Sequence, residues 1–196
     1  MTARTSMADL LLTLRGLTNA GTADYSVNGT ANLYWTDDQL QAVLDRHVSS
    51  FRHESLAPLP VIGSGGSLTY FDYQCARRFL ESTSGGTARF IVQDDTGGTV
   101  GTAAYSVDYP RGVVTFGTNT TGLSRYATGY SYDMNSAAAD VWTQKAAHYV
   151  TAYDVSTDNH SLKRSQIIAG CMAMAKEYAK GAQVYSVTVE RGDTDK

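Results

Sequence analysis

The sequence predicts an α+β protein: a four-helix core, an inserted small antiparallel β-sandwich or barrel, and a C-terminal extended strand. Three observations carry this. Hydrophobic spacing is helical up to about residue 60 and again from Asp133 to Gly181. Between 61 and 132 the period drops to two, with Gly-rich turns at intervals of roughly ten residues. After Gly181 the alternating pattern returns in "QVYSVTVE". The expected layout is a discontinuous helical core of residues 1–60 and 133–181, an inserted β-domain at 61–132, and an extended arm at 182–196. Helical stripes of this kind bury only against each other, and an insert enters and leaves its host at nearby points.

The first helix is expected from Met7 to about Arg15, with Ser6 as N-cap, Asp9 in the first turn and Gly16 as stop. Its apolar side is Leu10, Leu11, Leu14 and Leu17. Asn28-Gly29, between Tyr25/Val27 and Leu33/Trp35, fits a small hairpin turn. The second helix opens at Thr36 with Gln39 three residues on, a capping-box pattern. Leu40, Val43, Leu44, His47 and Phe51 continue its stripe, and Pro58 and Pro60 stop it. Strands are expected in "SLTYFDY", "ARFIVQ" and "SRYATGYSY", and in the hairpin "TAAYSVDY" and "GVVTF" turning at Pro110-Arg111-Gly112. A third helix starts at "NSAAADVWTQKAAHYVTAY" and a fourth at "QIIAGCMAMAKEYAK", separated by the polar loop "DVSTDNHSLKRS".

The chain has 196 residues, suited to one domain or one domain with an insert. Net charge is −3, which is not the footprint of a protein that grips duplex nucleic acid. No apolar run reaches the roughly 18 residues of a membrane span, and the N-terminus lacks the pattern of a signal peptide, so no membrane partner is expected. Cys75 and Cys171 are expected as free thiols of a chain folding in a reducing cytoplasm.

Catalytic chemistry finds little material. His47, His53, His148 and His160 form no metal pair on one helix face, and HExxH, CxxC and GxSxG are all missing. His47 lies on the apolar stripe and is expected to be a packed or interface histidine. "GSGGS" at 63–67 precedes a strand rather than a helix, so it reads as a linker and not a phosphate loop. Asp94-Asp95 before Thr96-Gly97-Gly98 reads as a hairpin turn, since a calcium loop needs more oxygen ligands. Arg191-Gly192-Asp193 and the three Asn-X-Ser/Thr sequons read as a charged tail and turn residues. No catalytic residue, cofactor or metal is expected.

The surplus of large apolar side chains points elsewhere. The fourth helix is apolar over more than one stripe, and a helix apolar on several sides needs several neighbours. Trp142, Tyr149 and Tyr153 on the third helix, and Ile167, Met172, Met174 and Tyr178 on the fourth, are the subunit-interface candidates. Tyr185, Val187 and Val189 alternate in a strand with no partner nearby in sequence, and are candidates for strand addition to another chain.

"YWTDDQLQAVLDRH", "YSVDYPRGVVTF" and "SYDMNSAAADVWTQKAAHYVTAYDVSTDNHSLKRSQ", in this order, resemble head–tail connector proteins (adaptors, or head-completion proteins) of long-tailed double-stranded DNA bacteriophages. The likeness spans roughly residues 8–180. It implies a non-enzymatic ring subunit of the virion neck, usually in twelve copies and assembled in the host cytoplasm. Such a ring docks under the portal protein and above the stopper or tail-completion protein, with DNA passing through its lumen. The rival readings are another virion ring component, of tail-completion or stopper type, and a small binding module using the β-insert.

Overall fold

The computed structural model describes residues 3–21, 35–63, 65–83, 89–150, 155–157, 160–162 and 164–182. The Asn28-Gly29 turn, Tyr153 and the strand Tyr185–Val189 lie outside them.

Helix α1 (Ala8–Thr18) buries Leu10, Leu11, Leu14 and Thr18. It runs through Gly16 and ends on Asn19, left-handed at φ 49°, a conformation Asn tolerates. Ser6 does not cap it. A 3-10 turn, Thr5–Met7, precedes the helix, and the Ser6 hydroxyl donates to Glu81 Oε1 at 2.6 Å. Helix α2 (Asp37–Leu44) carries the full capping box: Gln39 N donates to Thr36 Oγ1 at 3.4 Å and Thr36 N donates to Gln39 Oε1 at 2.8 Å. Thr36→Ala is expected to cost about 1 kcal/mol. In a chain of this size that lowers the melting temperature by roughly 2–4 °C, read by circular dichroism.

The expected four-helix core does not form. A six-stranded antiparallel sheet, curled into a half-barrel, dominates the core, in the order β3-β6-β1-β2-β5-β4. Its strands are β1 (Val48–Ile62), β2 (Leu68–Gln74), β3 (Phe90–Gln93), β4 (Tyr105–Asp108), β5 (Val113–Phe116) and β6 (Arg125–Tyr132). The second helix accordingly stops at Leu44, and a 3-10 turn over Asp45–His47 leads straight into β1. Phe51, expected on a helical stripe, is buried in the sheet. β1 is the long central strand. Its first half pairs with β6 and its second half with β2. A bulge at Arg52-His53, with His53 at φ 49°, shifts the register between the halves. Phe51 and Leu56 lie an odd number of residues apart, yet the bulge turns both into the same core.

One end of the half-barrel is closed by a short segment, 79–81. Tyr132 N donates to Phe79 O and Glu81 N to Tyr130 O, at 3.1 and 3.0 Å. On its other side Phe79 N donates to Pro110 O and Leu80 N to Tyr109 O, again at 3.1 and 3.0 Å. The segment therefore bridges the end of β6 to the β4–β5 turn. Phe90 and Tyr109 meet edge to face at 6.0 Å across the interior, with Tyr73, Val92 and Val114 buried around them.

A second core lies between α1, α2 and α3 (Met134–Val150), with Trp35, Leu40, Tyr132 and Ala138 in it. Strand β6 runs directly into α3. Asp133 caps that helix, its Oδ1 accepting from Asn135 N and Ser136 N at 3.1 Å each. Helix α4 (Arg164–Lys180) packs along α3. The loop between them, expected to be plain, contains a two-stranded ladder, β7 (Val155–Thr157) with β8 (His160–Leu162).

The two cores share a polar lock. Glu81, fully buried, accepts from Ser6 Oγ and Tyr132 OH at 2.6 Å each and from Arg4 Nε at 3.1 Å. Arg4 also grips Asp45 through two bonds of 3.1 and 2.7 Å, and Arg89 Nε lies 3.6 Å from Glu81. The Asp45 bonds hold the Arg4 guanidinium more basic than usual. Residues 4–6 are thereby tied to the 3-10 turn after α2, to β6 and to the closing segment at once.

Burial, and then the bond to Glu81, hold the Tyr132 hydroxyl above the ordinary phenol range; burial does the same for Tyr105 and for the Cys75 thiol. All three are raised in the fold, so the stability tied to their neutral forms is complete below the unfolded values. It is lost as pH climbs past them, from about 8.5 for Cys and about 10 for Tyr. Urea midpoints are expected to be flat from pH 7 to 8 and to fall between roughly pH 9 and 11.

Candidate functional site

Helices α3 and α4 form an arm that carries most of the expected contact residues. On α4 the inward seam is Ile167, Cys171, Ala175 and Tyr178, at spacings of four, four and three. Cys171 and Ala175 are buried, while Ile167 and Tyr178 are half-buried. Met172 and Met174 flank the seam on opposite sides, 38% and 40% exposed. The broad arc read from sequence thus resolves into one narrow seam against α3 and two open flanks.

Two polar bonds fix the C-terminal end of α4, one to α1 and one to α3. Tyr178 OH donates to Leu17 O at 3.0 Å, and Asn135 Nδ2 donates to Gly181 O at 2.6 Å. Tyr149 is half-buried against the helical core, its ring 5.8 Å from that of His148. Trp142 is half-buried beneath the Lys145 ammonium, which lies 5.0 Å from its ring. Lys145 is itself buried and donates to Asn19 O at 2.8 Å, placing a cation where α1 ends. His47, expected as packed or at an interface, has Nε2 2.9 Å from Asp140 Oδ2 and joins the 3-10 turn before β1 to α3.

The β-part supplies turns rather than reactive groups. Asp94 Oδ1 accepts from Thr96 Oγ1 and Gly98 N at 2.7 Å each and from Thr96 N at 3.0 Å. The Thr96 hydroxyl and the Gly98 amide hold its carboxyl below the usual range. An open groove of about 350 Å³ on the sheet is lined by Arg52, Arg89, Thr128 and Tyr130 among others. Its Arg89 is engaged with the Tyr130 ring, at 5.3 Å, and with Glu81. Cys75 and Cys171 are free and buried. Among the described residues no group of three or more His, Cys, Asp or Glu is placed to hold a metal ion, and no helix is long and apolar enough to cross a membrane.

Sequence reasoning missed a second apolar surface. β6 pairs with β1 only as far as Leu56, and β5 pairs with β2 only from Asp72. Past those points β1 and β2 continue as a two-stranded ribbon to the "GSGGS" turn, where Gly65 and Gly66 take φ of 108° and 79°. Val61, Ile62 and Leu68 on it are 55%, 74% and 52% exposed. The signal was present: residues 55–71 contain no charged side chain.

Comparison with family models, with curated proteins and with solved structures gives no match.

Proposed function

We propose that this chain is a structural ring subunit of the neck of a long-tailed double-stranded DNA phage, docked under the portal and joining head to tail. The observation that carries the reading is the ordered run of three connector-like motifs. Their placement in the fold supports it. The first motif builds the capping box and α2, the second is the β4–β5 hairpin, and the third runs from the end of β6 through α3. The first and third share one core through Trp35, Leu40, Tyr132 and Ala138. The function is assembly: the ring extends the portal channel, helps retain packaged DNA and offers the tail a platform. A net charge of −3 suits a wall past which phosphates must slide.

The test is to mix the purified protein with its cognate portal rings and image the product by electron microscopy. A co-axial ring under the portal is expected, and its absence sinks the reading. Removing residues 182–196 probes the tail in the same assay. The last bond described between α4 and the body is at Gly181 O, so the truncated chain is expected to melt as the full one does. Docking is expected to be lost, because Tyr185, Val187 and Val189 are then no longer there to add a strand. Unchanged docking would dismiss strand addition by the tail.

A further inference from the structure

We propose that the outer face of β1, β6 and β3 is a nucleotide-binding site, with phosphates on Arg52 and Arg89 and a base on the stacked rings of His53 and Tyr126. Along β6 the burial alternates. Ala127 and Gly129 are buried in the sheet, while Tyr126, Thr128 and Tyr130 share the half-buried outer face. The register brings Ser50 of β1 beside Tyr130, and Ile91 of β3 beside Thr128. The open groove of about 350 Å³ lies among these residues, a volume at the small end of ligand sites. Arg52 lines it from β1 and Arg89 from the start of β3, and no carboxylate is in its lining.

The bulge is what aims these groups. It leaves two consecutive residues of β1, Arg52 and His53, both exposed, where a regular strand would turn one of them inward. His53 takes φ 49°, and its N donates to Thr128 Oγ1 at 2.9 Å. The Thr128 hydroxyl in turn donates to Gln93 Oε1 at 2.8 Å. The bent backbone is thus held from β6, and it lays the His53 ring on Tyr126, with 4.0 Å between centroids and 9° between planes. Left-handed backbone at residues other than glycine clusters at functional sites. Across the groove Arg89 lies over the Tyr130 ring at 5.3 Å and answers Glu81, which is 1% exposed. Arg52 has no hydrogen-bond or ion-pair partner among the described residues.

The combination selects the ligand. A neutral sugar would use the rings and leave the guanidinium groups idle. An acidic peptide would use the guanidinium groups and bring no flat ring to the stack. A duplex keeps its bases paired inside and offers the rings no face. A nucleotide, free or in a single strand, presents a phosphate and a ring together, and sites for single strands join aromatic platforms to a cationic groove. Arginine suits the phosphate because its planar fork meets two oxygens at once. Residues 48–132 contain arginines and no lysine. A net charge of −3 weighs against gripping a long duplex, not against one or two phosphates on one face. The site belongs to the sheet and stands whether or not the chain forms a neck ring.

The experiment titrates the full chain into a fluorescent oligothymidylate of about twelve nucleotides at low salt and follows its anisotropy. Binding is expected, with log affinity falling against log salt at a slope of about −1.4, from two phosphates at about 0.7 each. Arg52→Gln is expected to weaken binding several-fold and to bring the slope to about −0.7. His53→Gly is expected to weaken binding roughly tenfold at an unchanged slope, through the loss of one base stack. Glycine takes a positive φ freely and keeps the N–H bonded to Thr128, so this variant is expected to melt as the parent does. Thymidine monophosphate that competes at equal nucleotide concentration assigns the site to free nucleotides, and failure to compete assigns it to strands; each upholds the proposal. No binding of the strand overturns it. So does equal binding of a duplex of the same length, displacement by polyglutamate as readily as by unlabelled strand, or a His53→Gly variant that binds like the parent.

Discussion

Glu81→Ala is expected to lower stability by about 3–5 kcal/mol, the loss typical when one member of a buried charged network is removed. Three donors converge on this carboxylate, Ser6, Tyr132 and Arg4, with the Arg89 guanidinium 3.6 Å away. Its side chain is 1% exposed, so water cannot take its place without opening the core. The melting temperature is expected to fall by roughly 10 °C, at 2–4 °C per kcal/mol for this size. Glu81→Gln keeps the shape but not the charge and is expected to lie between. Tyr132→Phe removes two hydrogen bonds, the one donated to Glu81 and the one accepted from Arg4, and is expected to cost about 2 kcal/mol. A loss under about 1 kcal/mol for Glu81→Ala by urea titration would show that the network is not what locks the two cores.

Gly112→Ala is expected to cost about 3 kcal/mol or more, through two effects that add. Gly112 sits at φ 71°, where an L side chain is strained. An added Cβ would also be driven into the Arg77 carbonyl oxygen, which belongs to rigid backbone. The glycine cannot retreat, because its N donates to Asp108 O at 2.7 Å and its O accepts from Cys75 N at 2.8 Å. Gly97 is the control. It has φ 82° but nothing within 4 Å of the added Cβ, so Gly97→Ala is expected to cost only the conformational part, about 1–2 kcal/mol. Equal losses at the two sites would mean that the Arg77 contact contributes nothing.

Local chemistry was legible where it is self-contained. The Thr36–Gln39 box, the Pro110-Arg111-Gly112 turn and the helix over "QIIAGCMAMAKEYAK" depend on neighbours in sequence and stand as expected. The fold class was not, and β1 is the reason. Leu44, His47 and Phe51 fall at helical spacing, while the bulge at Arg52-His53 breaks the alternation that would have marked a strand. Reading β1 as helix gave the helical core too much and hid the central strand of the sheet. Segment 79–81 was equally hidden, since three residues carry no period, and its role exists only between β6 and the β4–β5 turn. The expected contact residues divide. Tyr178 has an internal partner in Leu17, Met172 and Met174 stay open, and Tyr153, Tyr185, Val187 and Val189 fall outside the described residues. The ribbon was not legible because a charge-free stretch shows its composition in the sequence but not that it protrudes beyond its neighbouring strands.

The closing segment also sets an order of events. Arg4 and Ser6 are made well before residue 130, but their anchor at Glu81 is complete only once Tyr130 and Tyr132 have joined it. Those tyrosines are synthesised about 130 residues into the chain, just before α3. Arg4 and Ser6 must therefore wait, unlocked, until Tyr132 has emerged. Such long sequence separations make for slow folding, on the millisecond-to-second scale of proteins rich in non-local strand pairing. The seventeen-residue uncharged ribbon, already made, stays uncovered throughout that interval. Newly made copies are therefore most prone to stray association while the N-terminus is still loose, and mutations that weaken the Glu81 lock should reduce the soluble yield more than the melting temperature alone would suggest.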